Sequence, residues 1–165
     1  MNRKETTQFL GELLIREKFS GIGKYWASEV SIDACSTDVK RVDFMQFEPA
    51  GVCGISAIEK GIFICYEIKS CSADFNSGYG KNFIGENNYF VMPMELYKKV
   101  IQEIPHNVGV LVPIPMTSDK YEEFENPTEL SRDNEWKLCT IRHAHQQLRQ
   151  RSMTELLFCM LRSGH

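Results

Sequence analysis

No apolar run in the chain approaches the roughly 18 residues of a membrane span. The opening Met1-Asn2-Arg3-Lys4-Glu5 leads into no apolar stretch of the kind an export signal carries. A cytoplasmic protein with no membrane partner is the expectation. Charge of one sign is lacking too: 19 basic against 22 acidic side chains leave a formal charge of −3. That balance excludes a protein that coats nucleic acid electrostatically, but leaves room for a local basic groove. There is no Cys-x-x-Cys pair, so Cys35, Cys53, Cys65, Cys71, Cys139 and Cys159 are expected as reduced thiols. His143 and His145 would not face each other on a helix, which argues against a zinc site. Internal repeats and low-complexity tracts are absent. What is present is 42% hydrophobic residues over 165 positions, enough for one domain that buries about 70% of its unfolded surface.

Periodicity divides the chain into short elements. Residues 5–18 carry Phe9, Leu10, Leu13 and Leu14 at helical spacing and end before Gly21 and Gly23. Residues 28–33 alternate apolar and polar side chains, and in 41–45 Val42 and Phe44 are expected on one face with Asp43 on the other. The polar link between these strands has the length of a hairpin connection. Residues 48–60 read as loop. Residues 61–69 begin with a nearly continuous apolar run, the pattern of a central strand covered on both faces. A polar, glycine-punctuated stretch follows to residue 88, then a strand at 88–92, a helix at 94–103 and a buried strand at 108–114. That spacing is a crossover connection. Residues 117–135 hold seven acids and two bases and read as a solvated acidic loop. Residues 136–162, with Lys137, Arg142, Arg149, Arg151 and Arg162, read as a basic helical region. The fold class is α/β, a mixed sheet flanked by helices, in a single domain over 1–165.

Chemistry concentrates at Asp43 and at Glu67-Ile68-Lys69. Alternation places Glu67 and Lys69 on one face, and pairing of the 41–45 and 61–69 strands would bring Asp43 to them. Two carboxylates suit a hard divalent cation, Mg²⁺ or Mn²⁺, whose other positions take water and phosphate oxygens. A lysine beside it can orient or deprotonate the attacking water. An ordinary solvated strand face explains a Glu-x-Lys pair equally well. For a further acid, a turn centred near Ser36 places Glu29 opposite Asp43, about 5 Å between Cβ atoms. Gly78-Tyr79-Gly80-Lys81-Asn82 is no Walker loop, since Phe75 stands where its first glycine belongs and Asn82 replaces its Ser/Thr.

Arg41-Val42-Asp43-Phe44 followed by Tyr66-Glu67-Ile68-Lys69-Ser70 resembles the motif pair of the PD-(D/E)xK nuclease superfamily. With Ala73-Asp74-Phe75, then Asn88-Tyr89-Phe90-Val91-Met92-Pro93, Ile104-Pro105 and Gly109-Val110-Leu111-Val112 in the same order, the run resembles the MmcB-like DNA-repair branch. The similarity covers roughly residues 28–115, with Val42 where the superfamily has proline. It implies a restriction-endonuclease-like mixed sheet and a Mg²⁺-dependent nuclease acting on DNA in a repair or phage-related setting. Asp43, Glu67 and the Ile68 carbonyl would bind metal, and Lys69 would position the water. The superfamily often adds an acid from the first helix, here Glu12 or Glu5, beside the alternative Glu29. Ser70 and Lys81 would face nucleic acid, and Tyr79 or Phe83 would stack on a base or pack a helix onto the sheet. The trio is expected in a solvent-facing cleft. A homodimer remains open, as does the alternative of a non-catalytic nuclease-fold module that binds nucleic acid or protein.

Overall fold

The computed structural model describes residues 1–51 and 54–163. Helix α1, Arg3–Leu14, opens on a capping box: the Asn2 side chain accepts from the Glu5 amide while the Glu5 carboxylate accepts from the Asn2 amide. A π-helical turn, Ile15–Phe19, follows and carries Phe19 onto Trp26, ring centroids 4.9 Å apart. The strands are β1 (Tyr25–Ile32), β2 (Lys40–Glu48), β3 (Ile62–Ile68), β4 (Asn87–Val91), β5 (Gly109–Pro115) and β6 (Trp136–Arg142). Between them lie short helices α2 (Ile55–Glu59), α3 (Ser72–Asn76), α4 (Met94–Val100) and α5 (Lys120–Glu125); α6 (Met153–Ser163) ends the described chain. The six strands form one mixed sheet in the order β1-β2-β3-β4-β5-β6. Both β3/β4 and β4/β5 pair parallel, and the other neighbours pair antiparallel. None of the described helices is long and apolar enough to cross a membrane.

One face of the sheet is covered by α1. Leu10, Leu13 and Leu14 pack on Ile64, Tyr66, Ile68, Val91, Leu111 and Trp136. Each such buried leucine contributes about 1.5–3 kcal/mol. Two separate covers share the other face. Helix α6 sets Leu156, Cys159 and Met160 on Val42, Met45, Phe63 and Cys65, while α4 sets Leu96, Tyr97 and Val100 on Phe90, Val110 and Val112. Glu67 continues the Phe63-Cys65 side of β3 and neighbours Phe90 in the β3/β4 register, so it falls between these covers.

Three expectations are corrected. Residues 136–162 are not one helical region: 136–142 are the edge strand β6, 143–150 belong to no helix or strand, and the helix starts at Met153. The strand was legible in the alternation of Trp136 and Leu138, packed toward α1, with Cys139 and Ile141, packed toward α4. Spaced basic residues obscured it. Val42 and Phe44 do not share a face, since Val42 packs under α6 and Phe44 toward α1. The cause is a break in the hairpin: Ser28↔Phe44 and Val30↔Val42 pair, whereas Glu29, at φ +53°, and Asp43 between them do not. The stretches taken as loop contain α2 and α5, the latter with a capping box between Asp119 and Glu122. Cys35, Cys65, Cys71, Cys139 and Cys159 are free thiols, and Cys53 lies outside the described residues.

Gly109 marks where the segment after β6 crosses the sheet. A Cβ there would lie 2.3 Å from Tyr89 Cε1 and 2.7 Å from the Ala144 backbone nitrogen. Gly109→Ala is expected to destabilise the fold by about 1–3 kcal/mol through overpacking. Thermal unfolding followed by circular dichroism should show a melting temperature several degrees lower; an unchanged one would refute this close approach.

Candidate active site

The β2/β3 ladder runs from Glu48↔Ile62 to Phe44↔Tyr66 and stops there. Beyond it the Asp43 side chain takes up the backbone of β3, its Oδ2 accepting the Ile68 amide at 2.8 Å. Asp43 can do so because the hairpin break releases it from pairing with Glu29. On the far side of β3, the Lys69 amide donates to the Val91 carbonyl at 2.9 Å, which holds the strand end against β4. Glu67 and Lys69 are thus fixed at the C-terminal end of an internal strand.

The three side chains converge as expected. The Asp43 and Glu67 carboxyl groups face each other, and Lys69 and Arg41 supply positive potential to both. Their setting differs from the expected open cleft: Glu67 is 5% exposed and Lys69 3%. Burial raises the Glu67 pKa far above the ordinary carboxylate range, and the Asp43 charge raises it further. Asp43 is also raised, chiefly by burial, against the lowering effect of the Ile68 amide and Lys69. In this state Glu67 holds a proton at neutral pH and the pair carries one negative charge.

A roof causes the burial. The Lys69 ammonium donates to the Tyr79 carbonyl at 2.5 Å. Gly80, at φ +69°, lies so near that a Cβ there would sit 2.3 Å from Glu67 Oε2 and 3.1 Å from Lys69 Nζ. Glycine is required here for both its conformation and its missing side chain. Sequence reasoning placed nucleic-acid contacts in this segment and rejected a phosphate loop there, but not a roof over Glu67; the signal for it was Gly78 and Gly80 within a polar stretch.

The remaining expected residues are dispersed. Glu29 is exposed and pairs with Arg41 at 2.9 Å. Glu12 pairs with Arg132 at 3.1 Å, and Glu5 caps α1. Accordingly, no group of three or more His, Cys, Asp or Glu side chains able to hold a metal occurs among the described residues. Ser70 gives its amide and hydroxyl to Asp74 and lines a cavity of about 290 Å³ at the end of β3 that includes neither Asp43, Glu67 nor Lys69. Lys81 sits 4.1 Å from the centroid of the Phe75 ring. Phe83 packs edge-on against Phe90, which gives it a core role, whereas Tyr79 is 82% exposed. Ile68 contributes its amide to Asp43.

Two carboxyls forced to share a proton are a donor set suited to a hard divalent cation, which would replace that proton and relieve their repulsion. Without one, folding raises the Glu67 pKa. Its contribution to stability is therefore complete below the unfolded value of about 4.3, and is lost as pH rises toward the folded value. Glu67→Gln keeps a neutral hydrogen-bonding group in place. Between about pH 5 and about pH 9 the wild-type melting temperature should fall more steeply than that of Glu67→Gln, and the variant should melt higher at the alkaline end. Parallel curves in metal-free buffer would contradict the buried, protonated state.

No known family profile matches the chain, and no curated protein matches it. Among solved structures, a protein of unknown function from Silicibacter pomeroyi is similar in fold, with a TM-score of 0.59 and 19% identity over 95% of this chain and 84% of that one.

Proposed function

We propose that the chain is a metal-dependent nuclease of the PD-(D/E)xK type that hydrolyses DNA phosphodiester bonds. The observation that carries this reading is the convergence of Asp43 from the second strand with Glu67 and Lys69 from the third. The β1-β2-β3-β4 order, antiparallel until the parallel β3/β4 pair, supports it, as do the motifs that resemble that superfamily. Asp43 and Glu67 would hold Mg²⁺ or Mn²⁺. When bound, such a cation supplies Lewis acidity toward a phosphate oxygen and lowers the pKa of a water.

The chain's own groups supply the rest. Glu67 would release its proton to solvent to serve as a ligand, which the positive potential of Lys69 and Arg41 assists. Lys69 holds its ammonium beside the carboxylates and orients the attacking water. Arg41, exposed at the mouth of the hairpin break, draws the polyanion. DNA repair or a phage-related process is the setting the resemblance suggests. A second reading, a non-catalytic module that binds nucleic acid or protein, is favoured by one observation: Gly80 closes over Glu67 and Lys69.

Linear, branched and single-stranded DNA with Mg²⁺ or Mn²⁺ provide the test. Lys69→Ala should lower cleavage about 10²–10⁴-fold while Mn²⁺ binding by calorimetry stays nearly unchanged. Asp43→Ala should instead weaken Mn²⁺ binding by about tenfold or more, since one of two carboxylates is gone. Equal inactivity of wild type and variants on every substrate, with DNA binding intact, would establish the binding module.

A further inference from the structure

Residues 77–83 belong to no helix or strand, yet they cross two buried ionisable groups, Glu67 and Lys69. Gly78, Gly80 and Phe83 all have left-handed backbone, at φ +78°, +69° and +48°. For Phe83 this conformation is a strain that the surroundings must hold. Few ties hold the residues before it. Asn82 Nδ2 donates to the Arg41 carbonyl at 3.1 Å, the Lys81 ammonium lies over the Phe75 ring, and the Ser77 hydroxyl donates to the Asp74 carbonyl at 2.7 Å. The Tyr79 ring at the tip stands in solvent. The strongest grip is the Tyr79 carbonyl on Lys69. A carbonyl oxygen there takes the hydrogen-bonding position that a water or a phosphate oxygen would need.

We propose that residues 77–82, hinged at the core-anchored Phe83, form a cap, closed over Glu67 and Lys69 in the resting protein, that swings off them before any substrate reaches the site. This deepens the nuclease reading and rests on it for the identity of the substrate, but closure and opening can be measured without catalysis. The Tyr79 carbonyl is a stand-in acceptor that keeps Lys69 satisfied while the site is idle. Gly80 is the tightest point of closure, and Asn82 is the latch to the hairpin. Removing the latch leaves Asp43, Glu67 and Lys69 untouched. A side chain at position 80 cannot coexist with the closed state.

Accessibility of Lys69 to a small amine reagent reports the cap directly. Full-length protein is treated briefly with labelled formaldehyde and a mild reductant, and modification of each lysine is read by mass spectrometry. In wild type, Lys69 should react at least about tenfold more slowly than the exposed Lys4 and Lys24. Asn82→Ala should speed Lys69 about five-fold, the equilibrium worth of one lost neutral hydrogen bond, without changing Lys4 or Lys24. Gly80→Ala should speed it further, with cooperative melting retained to show that the fold is intact. Wild-type Lys69 reacting as fast as Lys4 would overturn the cap. So would unchanged labelling in both variants when they melt like wild type. The same proteins assayed on the DNA panel separate the two proposals. Labelling as expected with no cleavage by any protein leaves the cap standing and removes the nuclease. Cleavage by wild type with labelling unmoved by either variant removes the cap and leaves the nuclease.

Discussion

The bond from the Ile68 amide to the Asp43 carboxylate is the constraint on which the site depends. Where β2 leaves β3, a strand amide in the middle of the sheet must find another acceptor, because a buried donor left unpaired costs about 1–3 kcal/mol. A carboxylate fills that place. Once it does, Glu67, which precedes Ile68, faces a second carboxyl, and Lys69, which follows it, faces a negative charge. Backbone satisfaction and the assembly of the site are thus one event. The break at Glu29 and Asp43 makes it possible, since a regular ladder would have kept Asp43 pointing along the sheet normal.

The covers on the sheet then decide what surrounds the trio. α6 packs over the first three strands and α4 over the fourth and fifth, each with its own apolar cluster. Neither spans Glu67. The gap is bridged by backbone from residues 77–83, a thin cover that brings a glycine to the carboxylate and a carbonyl to the ammonium. Backbone can approach a charged pair more closely than any packed helix face, and it supplies a polar acceptor where an apolar side chain would leave Lys69 unsatisfied.

Much of this was legible in the sequence, for reasons that can be traced. The buried strand 61–69 announced itself by a run too apolar for a surface strand, and the Glu67/Lys69 alternation followed from it. The pairing of Asp43 with Glu67 followed from strand order. The orientation of Val42 was not legible, because one positive-φ residue at an unpaired position reverses alternation without shifting the register, and Glu29 carries no composition signal for positive φ. Glu29 itself lies in the register that the turn implied, but its side chain pairs with Arg41. Strand β6 was missed because its charges drew the eye from its alternation. The burial of Lys69 was least legible of all, since it depends on a loop eleven positions away in sequence folding back on itself.

Other buried acids in the same protein show what is unusual about Glu67. Glu86, 6% exposed, accepts the Phe63 amide at 2.9 Å with one oxygen and faces Arg149 at 3.5 Å with the other. Glu123, 3% exposed, accepts the amide and the hydroxyl of Thr128. Both follow the rule that a buried charge is matched by donors. Glu67 is set instead against another acid, and burial together with that neighbour's charge raises its pKa. A fold that needed only stability would place an apolar residue there, as β3 does at Phe63 and Cys65 on the same side. Retaining Asp43, Glu67 and Lys69 together costs stability and returns none through packing. Groups arranged at such a cost cluster at functional sites in proteins generally, which is why this trio carries the nuclease proposal. Glu86 and Glu123 show that this chain can bury an acid without incurring that cost.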